Sequence, residues 1–406
     1  MLTHVNATVQ GISTIRALSG EDFVTKEFEN QQSIYNSNWL FYGSSSIALS
    51  FFVDLTCFLF LSFTTIFLIL YGKDSIPNAG LLAMVLTQVV GLSALVQFGI
   101  REIIETSTQL IAVERISRYD DLEEEDKELD ESEDKEYYMS PDWPNRGEIK
   151  FYNVSLRYDN ILPAVLRNLN FNIESREKIG IVGRTGAGKS SLIAAIFRLY
   201  PVEGKIEIDG IDTRDIPLTL LRSKIAIIPQ NPVLFAGTLR QNLDPFGEYD
   251  DHVLNEAIHA VELKDSTNTI NDLDYQVISG GTNYSVGQRQ LICLARALVR
   301  NNKILILDEA TANVDFQTDD LIQNTIKKQF SHCTVLTVAH RLNTVIDSDR
   351  IMVIEGGLLV EFDHPYVLLQ NPDGIFFKMI YQNGNKDFER LKIIAYRRYM
   401  GLNDIS

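Results

Sequence analysis

The residues best suited to chemistry in this chain lie in one glycine-rich run, Gly-Arg-Thr-Gly-Ala-Gly-Lys-Ser-Ser, at positions 183–191. An apolar β-type run enters it and a helical pattern leaves it, which favours a phosphate-cradling loop over an ordinary glycine-rich turn. Glycines let the backbone turn its N–H groups towards phosphate oxygens at a helix N-terminus. We therefore assign nucleotide binding to Gly183, Arg184, Thr185, Gly186, Ala187, Gly188, Lys189, Ser190 and Ser191.

Within this loop, two side chains are expected to carry the specific contacts. The ammonium of Lys189 is expected to reach the β- and γ-phosphates, and the hydroxyl of Ser190 is expected to ligate Mg²⁺.

A pair of carboxylates follows a second apolar run, Ile-Leu-Ile-Leu at 304–307. We expect Asp308 to hold Mg²⁺, directly or through water, and Glu309 to polarise an attacking water beside the γ-phosphate. The alternative interpretation is a simple exposed strand end. The preceding phosphate loop favours the catalytic interpretation.

A second phosphate-facing surface is predicted from Tyr-Ser-Val-Gly-Gln at 284–288, which precedes a helical run. The hydroxyl of Ser285, the backbone of Gly287 and the side chain of Gln288 would lie at a helix N-terminus. One γ-phosphate does not need two such surfaces. The pair indicates a sandwich, in which this surface closes a nucleotide held by another domain.

Together these stretches resemble the nucleotide-binding domain of ATP-binding-cassette transporters. The resemblance implies that Tyr158 stacks on adenine, and that Gln230 touches Mg²⁺ and senses the membrane domain. It also implies that His340 is the switch histidine near the γ-phosphate and that residues 312–315 cross a dimer. The catalytic set is then Glu309, His340 and Gln230; the metal set is Ser190, Gln230 and Asp308; the cofactors are ATP and Mg²⁺.

Finer features are similar to the second half of subfamily C, the multidrug-resistance-associated type. They are the runs at 11–17, 183–191 and 285–291, with Val286 where the general signature has Gly. The resemblance covers about residues 5–384 and implies an ATP-hydrolysing exporter of organic anions, conjugates or xenobiotics. Its partners would be a second nucleotide-binding domain, the remaining transmembrane helices and a small-molecule substrate. A channel or channel regulator, or a truncated nucleotide-binding product that does not transport, are the alternatives.

The charge and cysteine content narrow the partners and the compartment of this protein. The formal net charge is −17, from 54 acidic and 37 basic side chains, which argues against a nucleic-acid partner. The cysteines, Cys57, Cys293 and Cys333, are too few and too scattered for a disulfide framework, as expected in a reducing cytosol.

Two apolar runs, about 47–70 and 79–100, are long enough to cross a lipid bilayer. The helical pattern continues from the second run to about Arg118, so that helix would project roughly 30 Å beyond the hydrocarbon core. The alternative is a pair of buried core helices. We expect the two helices to cross the plasma membrane. The distal ends of both helices and the nucleotide domain are expected on the cytosolic side. Asp54, inside the first run, either contacts substrate or ions, or reaches headgroups or another helix.

The predicted fold class is therefore a membrane α-helical segment of two long helices, followed by an α/β P-loop NTPase domain of the ABC type. We place a partial transmembrane domain at 1–118, an acidic linker at 119–147, the nucleotide-binding domain at 148–384 and a tail at 385–406. In the linker, residues 120–136 hold twelve Asp and Glu and two Lys. Strands are predicted in one largely parallel sheet, at 150–154, 178–182, 205–208, 224–228, 303–307, 334–338 and 350–354.

Overall fold

The computed structural model describes residues 1–71, 79–122, 125, 140, 142–159, 161–263, 272–310, 314–339, 341–382 and 384–401. These residues form two compact units, Met1–Glu124 and Glu125–Ser406. The boundaries of the linker and of the nucleotide-binding domain remain sequence predictions.

The first unit is helical. It holds α1 (Leu2–Gln10), α2 (Ile12–Ala17), α3 (Glu21–Tyr71) and α4 (Ala79–Ser117). With 51 and 39 residues, α3 and α4 are about 76 and 58 Å long at 1.5 Å per residue. Both are long and apolar enough to cross a membrane, which confirms the two long helices expected from the sequence.

Asp54, the charged residue inside the first apolar run, has a hydrogen-bond partner on α4. The amide of Gln97 in α4 donates a hydrogen bond to a carboxylate oxygen of Asp54 in α3. Both side chains line a cavity of about 510 Å³ between these two helices. Of the interpretations open for Asp54, the contact with another helix is the one seen here.

The described residues of the second unit form three sheets. Its strands are β1 (Ile149–Leu156), β2 (Leu166–Ile173), β3 (Lys178–Val182), β4 (Val202–Ile208), β5 (Ile211–Asp212), β6 (Ile225–Ile228), β7 (Gly237–Thr238), β8 (Gln276–Val277), β9 (Ile304–Asp308), β10 (Thr334–Val338), β11 (Arg350–Glu355) and β12 (Leu358–Asp363). A six-stranded sheet has the order β12-β11-β3-β10-β9-β6, a four-stranded sheet has the order β2-β1-β4-β5, and β7 pairs with β8.

The helices of this unit follow the strands in chain order. They are α5 (Lys189–Ile196), α6 (Leu218–Ser223), α7 (Leu239–Leu243), α8 (Asp251–Ala260), α9 (Val286–Arg300), α10 (Phe316–Gln329), α11 (Pro365–Leu368), α12 (Ile375–Tyr381) and α13 (Asn385–Tyr399). Short 3-10 turns lie at Thr213–Asp215, Ser279–Gly281 and Leu342–Thr344.

All seven predicted strands are found, but not in one sheet. In the six-stranded sheet, β11, β3, β10, β9 and β6 run parallel and β12 is antiparallel. By contrast, β1 and β4 belong to the antiparallel four-stranded sheet. The prediction of a single largely parallel sheet is wrong for these two strands. Their burial alternates, as in a sheet with one buried face, whereas β3 and β9 are buried almost throughout.

Helix α13 lies in the segment 385–406, which is predicted from the sequence as a tail. It buries Phe388, Leu391 and Ala395 in an apolar core shared with Phe376 and Ile380 of α12. Its Arg398 forms an ion pair with Asp349 at 3.1 Å, before β11. This helix is therefore packed as part of the second unit.

Thr334 is fully buried at the start of β10, and its hydroxyl bonds to two distant backbone segments. Its hydroxyl donates to the carbonyl of Gly147 at 2.7 Å and accepts from the backbone N–H of Arg176 at 2.9 Å. We expect Thr334→Val to destabilise the second unit by about 1–3 kcal/mol, because the buried carbonyl of Gly147 and the part-buried N–H of Arg176 lose their partner. Thermal unfolding should show a melting temperature several degrees lower.

Thr337→Val is the matched control for this prediction. Thr337 lies on the same strand, and no hydrogen bond of its hydroxyl is found among the described residues. A melting temperature unchanged by Thr334→Val, or lowered equally by both variants, would contradict the role given to the Thr334 hydroxyl.

Candidate functional site

The glycine-rich run at 183–191 leads from β3 into α5, and at two points of its base the backbone favours glycine. A Cβ on Gly183 would lie 2.3 Å from the carbonyl oxygen of Ile354 on β11. Gly188, the residue before α5, has a φ of 111°, a conformation that L side chains rarely adopt. Arg184, Thr185 and Gly186 at the tip are exposed. The loop is therefore tight at its base and open to solvent at its tip.

Lys189 is folded back into the loop. Only 8% of its surface is exposed, and its Nζ donates to the carbonyl oxygens of Gly183 at 2.8 Å and Arg184 at 3.3 Å. These hydrogen-bond partners are neutral dipoles. A phosphate that entered the loop would offer the ammonium a charged acceptor, and charge-assisted hydrogen bonds are the stronger kind.

Asp308, at the carboxyl end of β9, is half-buried beside this loop. Burial, and next the charge of Glu309, raises the pKa of Asp308, while a hydrogen bond from Ser190 and the Lys189 ammonium act in the opposite direction. The structure thus brings together two of the three predicted metal ligands, Ser190 and Asp308. A hydroxyl and a carboxylate are hard oxygen donors, which fit Mg²⁺.

Glu309 adopts an unusual backbone conformation, with a φ of 46°. Its N–H donates to the carbonyl of Val338 on β10 at 3.1 Å, and the amide of Gln230 donates to its Oε2 at 2.9 Å. Left-handed conformations of bulky residues are sparse and cluster at functional sites, where surrounding contacts hold them. The structure therefore joins two of the three predicted catalytic residues, Glu309 and Gln230.

Gln290 is a residue that the sequence analysis missed. It lies on α9, is 1% exposed, and its Nε2 donates to the backbone carbonyls of Pro229 at 3.0 Å and Gln230 at 3.2 Å. The sequence signal is an amide among the buried apolar side chains of α9, since a buried polar group needs a partner. Gln290 connects the backbone of Gln230 to the helix that begins after Ser285.

The predicted second phosphate surface is a helix start with a capping box. Ser285 precedes α9, its hydroxyl accepts from the N–H of Gln288 at 3.1 Å, and the Gln288 side chain accepts from the N–H of Ser285 at 2.9 Å. A Cβ on Gly287 would lie 3.0 Å from the Thr318 methyl group on α10. These two hydrogen bonds join Ser285 and Gln288 to each other.

Tyr158, predicted to stack on adenine, lies two residues after β1 and is 44% exposed. Its hydroxyl hydrogen-bonds to that of Ser191 on α5 at 2.7 Å. The predicted switch residue His340 and residues 312 and 313 of the dimer-crossing loop lie outside the described residues. Asp315, the last residue of that loop, caps α10 by accepting from the N–H of Thr318 at 3.0 Å.

Comparisons with known proteins agree with this geometry. Residues 166–312 match the family model described as ABC transporter. The mouse protein "ATP-binding cassette sub-family C member 4" is 44% identical over 99% of this chain, and the chain covers 30% of that protein. The Drosophila melanogaster "Probable multidrug resistance-associated protein lethal(2)03659" is 45% identical over 98% of the chain, which covers 29% of it.

A solved structure titled "Structure of a bacterial Atm1-family ABC exporter with ATP bound" aligns with a TM-score of 0.76 at 26% identity. The alignment covers 94% of this chain and 66% of that one. It therefore includes most of both units.

The fold and the loop at 183–191 define a nucleotide-binding domain of the ABC-transporter class. The chain belongs to the ATP-binding-cassette transporters, and its relatives are members of subfamily C, the multidrug-resistance-associated type. This confirms the resemblance found in the motifs. The chain spans about 30% of the length of these relatives.

Gln290 provides a test of how the segment after β6 is held. We expect Gln290→Met to leave the carbonyls of Pro229 and Gln230 unpaired, which costs about 1–3 kcal/mol. Hydrogen–deuterium exchange of the peptide spanning 229–235 should then become at least about fivefold faster, since about 1 kcal/mol corresponds to that factor. The peptide covering β2 should exchange as before.

Gln323→Met on α10 is the control, because no side-chain hydrogen bond is described for Gln323. Equal exchange at 229–235 in Gln290→Met and the unchanged protein would show that these two hydrogen bonds do not hold the segment.

Proposed function

We propose that this chain binds ATP with Mg²⁺ and hydrolyses it as the nucleotide-binding part of a membrane exporter. One observation carries the proposal: the strands β3, β9 and β6 run parallel, and the residues at their carboxyl ends converge. Lys189, Ser190 and Asp308 form one group, and Glu309 and Gln230 form the next. Ligands of open parallel sheets bind at this edge.

In this proposal, the loop at 183–191 and the side chain of Lys189 bind the phosphates. The loop offers backbone N–H groups at the start of α5, and Lys189 exchanges its carbonyl partners for the β- and γ-phosphate oxygens. Ser190, Asp308 and Gln230 would hold Mg²⁺, which neutralises phosphate charge when bound. The raised pKa of Asp308 supports this assignment, because its carboxylate is costly without a nearby cation.

In this proposal, Glu309 is the general base that activates the attacking water. The amide of Gln230 occupies its Oε2, while among the described residues no hydrogen bond is found at its Oε1. That oxygen is available to accept a proton from the attacking water. Gln230 lies in contact with the base and bonds through its backbone to Gln290, so its position can follow both the nucleotide and α9.

The second phosphate surface serves a partner domain in this proposal. Its capping box leaves the N–H groups of Val286 and Gly287 at the start of α9 without a described backbone acceptor. Ser285, Gly287 and Gln288 would therefore close the nucleotide held by a second nucleotide-binding domain. That domain's matching surface would close the nucleotide on Lys189, so the chain alone should hydrolyse ATP slowly.

The transport function rests on α3 and α4 and on the relatives. Both helices are long and apolar enough to cross a bilayer and extend well past its thickness. In this proposal the two helices cross the plasma membrane, and their distal ends and the nucleotide domain lie in the cytosol. Further transmembrane helices would complete the transport pathway. The substrate class, organic anions, conjugates or xenobiotics, follows from the subfamily alone.

Lys189→Ala should weaken ATP binding at least about tenfold, because the phosphates lose a buried charged donor. Titration of the chain in nanodiscs with a fluorescent ATP analogue measures the dissociation constant, and circular dichroism checks the fold. Lys224→Ala, which removes a lysine after α6, is the control. Equal affinities in Lys189→Ala and the unchanged chain would overturn the phosphate-cradle role.

Glu309→Gln should keep ATP binding and lose most hydrolysis, by about 10²- to 10⁴-fold, because the amide cannot accept a proton. The turnover must be measured in an assembly that contains both nucleotide-binding domains. Glu248→Gln is the control, because Glu248 is an exposed carboxylate distant in sequence from Glu309. Full turnover by Glu309→Gln would show that another group is the general base.

A further inference from the structure

Two tyrosines face each other where the β1–β4 ladder ends. The strands are antiparallel, and their last paired residues are Leu156 and Val202. Tyr158 lies two residues beyond Leu156, and Tyr200 lies two residues before Val202. Because the side-chain period of a strand is two, the same register places these tyrosines opposite each other on one face.

The rings make direct contact at this position. Their centroids are 4.6 Å apart and their planes meet at 90°, the edge-to-face arrangement that aromatic pairs favour. The hydroxyl of Tyr158 is held separately by Ser191 at 2.7 Å. Ser191 is 6% exposed and lies two residues after Lys189 on α5. The ring of Tyr158 is thus held at two points, at its hydroxyl and against Tyr200.

Both rings remain open to solvent despite this contact. Tyr158 is 44% exposed and Tyr200 is 41% exposed. Two large aromatic side chains left open beside a phosphate loop offer a surface on which a flat, aromatic ligand can stack. A pair that served the fold alone would be expected to bury more of its area, as Phe151 and Phe171 do in the same sheet, where Phe151 is 2% exposed.

We propose that Tyr200 is a positioning residue for the nucleotide base: it fixes the ring of Tyr158 at the angle on which the purine stacks. This inference rests on the proposed ATP-binding function and extends it to a residue outside the motifs. Tyr200 acts through Tyr158, so its effect is confined to ligands that carry a base. Loss of its ring leaves Tyr158 free to turn about the hydroxyl contact with Ser191.

The test compares ATP with inorganic tripolyphosphate, which carries the phosphates and no base. We expect Tyr200→Ser to weaken ATP binding by the chain in nanodiscs about three- to tenfold and to leave tripolyphosphate binding unchanged. Tyr200→Phe should restore ATP affinity, because the edge of the ring is kept and only the hydroxyl is lost.

Tyr152→Ser is the matched control: Tyr152 lies on β1, is also 44% exposed, and has no ring contact among the described residues. It should bind both ligands as the unchanged chain does.

The outcomes separate this inference from the proposed function. Unchanged ATP affinity in Tyr200→Ser, or no rescue by Tyr200→Phe, overturns the role of Tyr200 and leaves ATP binding intact. Equal weakening of ATP and tripolyphosphate assigns Tyr200 to the fold of the loop and overturns the proposal as well. Failure of the unchanged chain to bind either ligand would instead defeat the proposed function.

Discussion

The candidate site depends on one pairing constraint, the position of β10 between β3 and β9. Val338 of β10 pairs in parallel with Ile181 on one side and with Asp308 on the other. The loop after β3 and the two carboxylates at the end of β9 therefore lie at the same edge of the sheet, with β10 between them. At about 4.8 Å between neighbouring strands, this spacing brings Ser190 within reach of Asp308. A different strand order would separate the groups that the chemistry needs together.

A second constraint links this edge to α9. Glu309 is held in a left-handed conformation by the Val338 carbonyl and by the Gln230 amide, and Gln230 is held through its backbone by Gln290. The same helix begins at the Ser285 capping box. In the proposed sandwich, Glu309 acts on one nucleotide and Ser285 faces the other. In that arrangement, the contacts from Glu309 through Gln290 to α9 would form a continuous path between the two nucleotide sites.

The sequence predicts best those features that a short segment determines alone. The loop at 183–191 is readable because its glycines and Lys189 have fixed spacings, and the buried run 304–307 is readable as a strand because it is uniformly apolar. The sheet to which a strand belongs cannot be predicted in this way. It depends on the distant segment with which the strand pairs, as β1 pairs with β4. Gln290 and Tyr200 were missed for the same reason: their partners are 60 and 42 residues away. The Ser-x-x-Gln pattern at 285–288 is the sequence signature of the capping box that the structure shows at the start of α9.

Charge explains why the site needs local cations. A chain with a net charge of −17 disfavours a polyanionic nucleotide at long range, but salt screens that field over roughly 8–10 Å. Affinity must then come from groups in contact with the phosphates: Lys189, the loop N–H groups and a metal ion. Asp308 and Glu309 add negative charge where the phosphates would lie, and burial makes the Asp308 charge more costly still. In the proposed site, Mg²⁺ would resolve this conflict, because it would be attracted by both the carboxylates and the phosphates. Nucleotide and metal should therefore bind cooperatively, with the carboxylate pair setting the dependence on the metal.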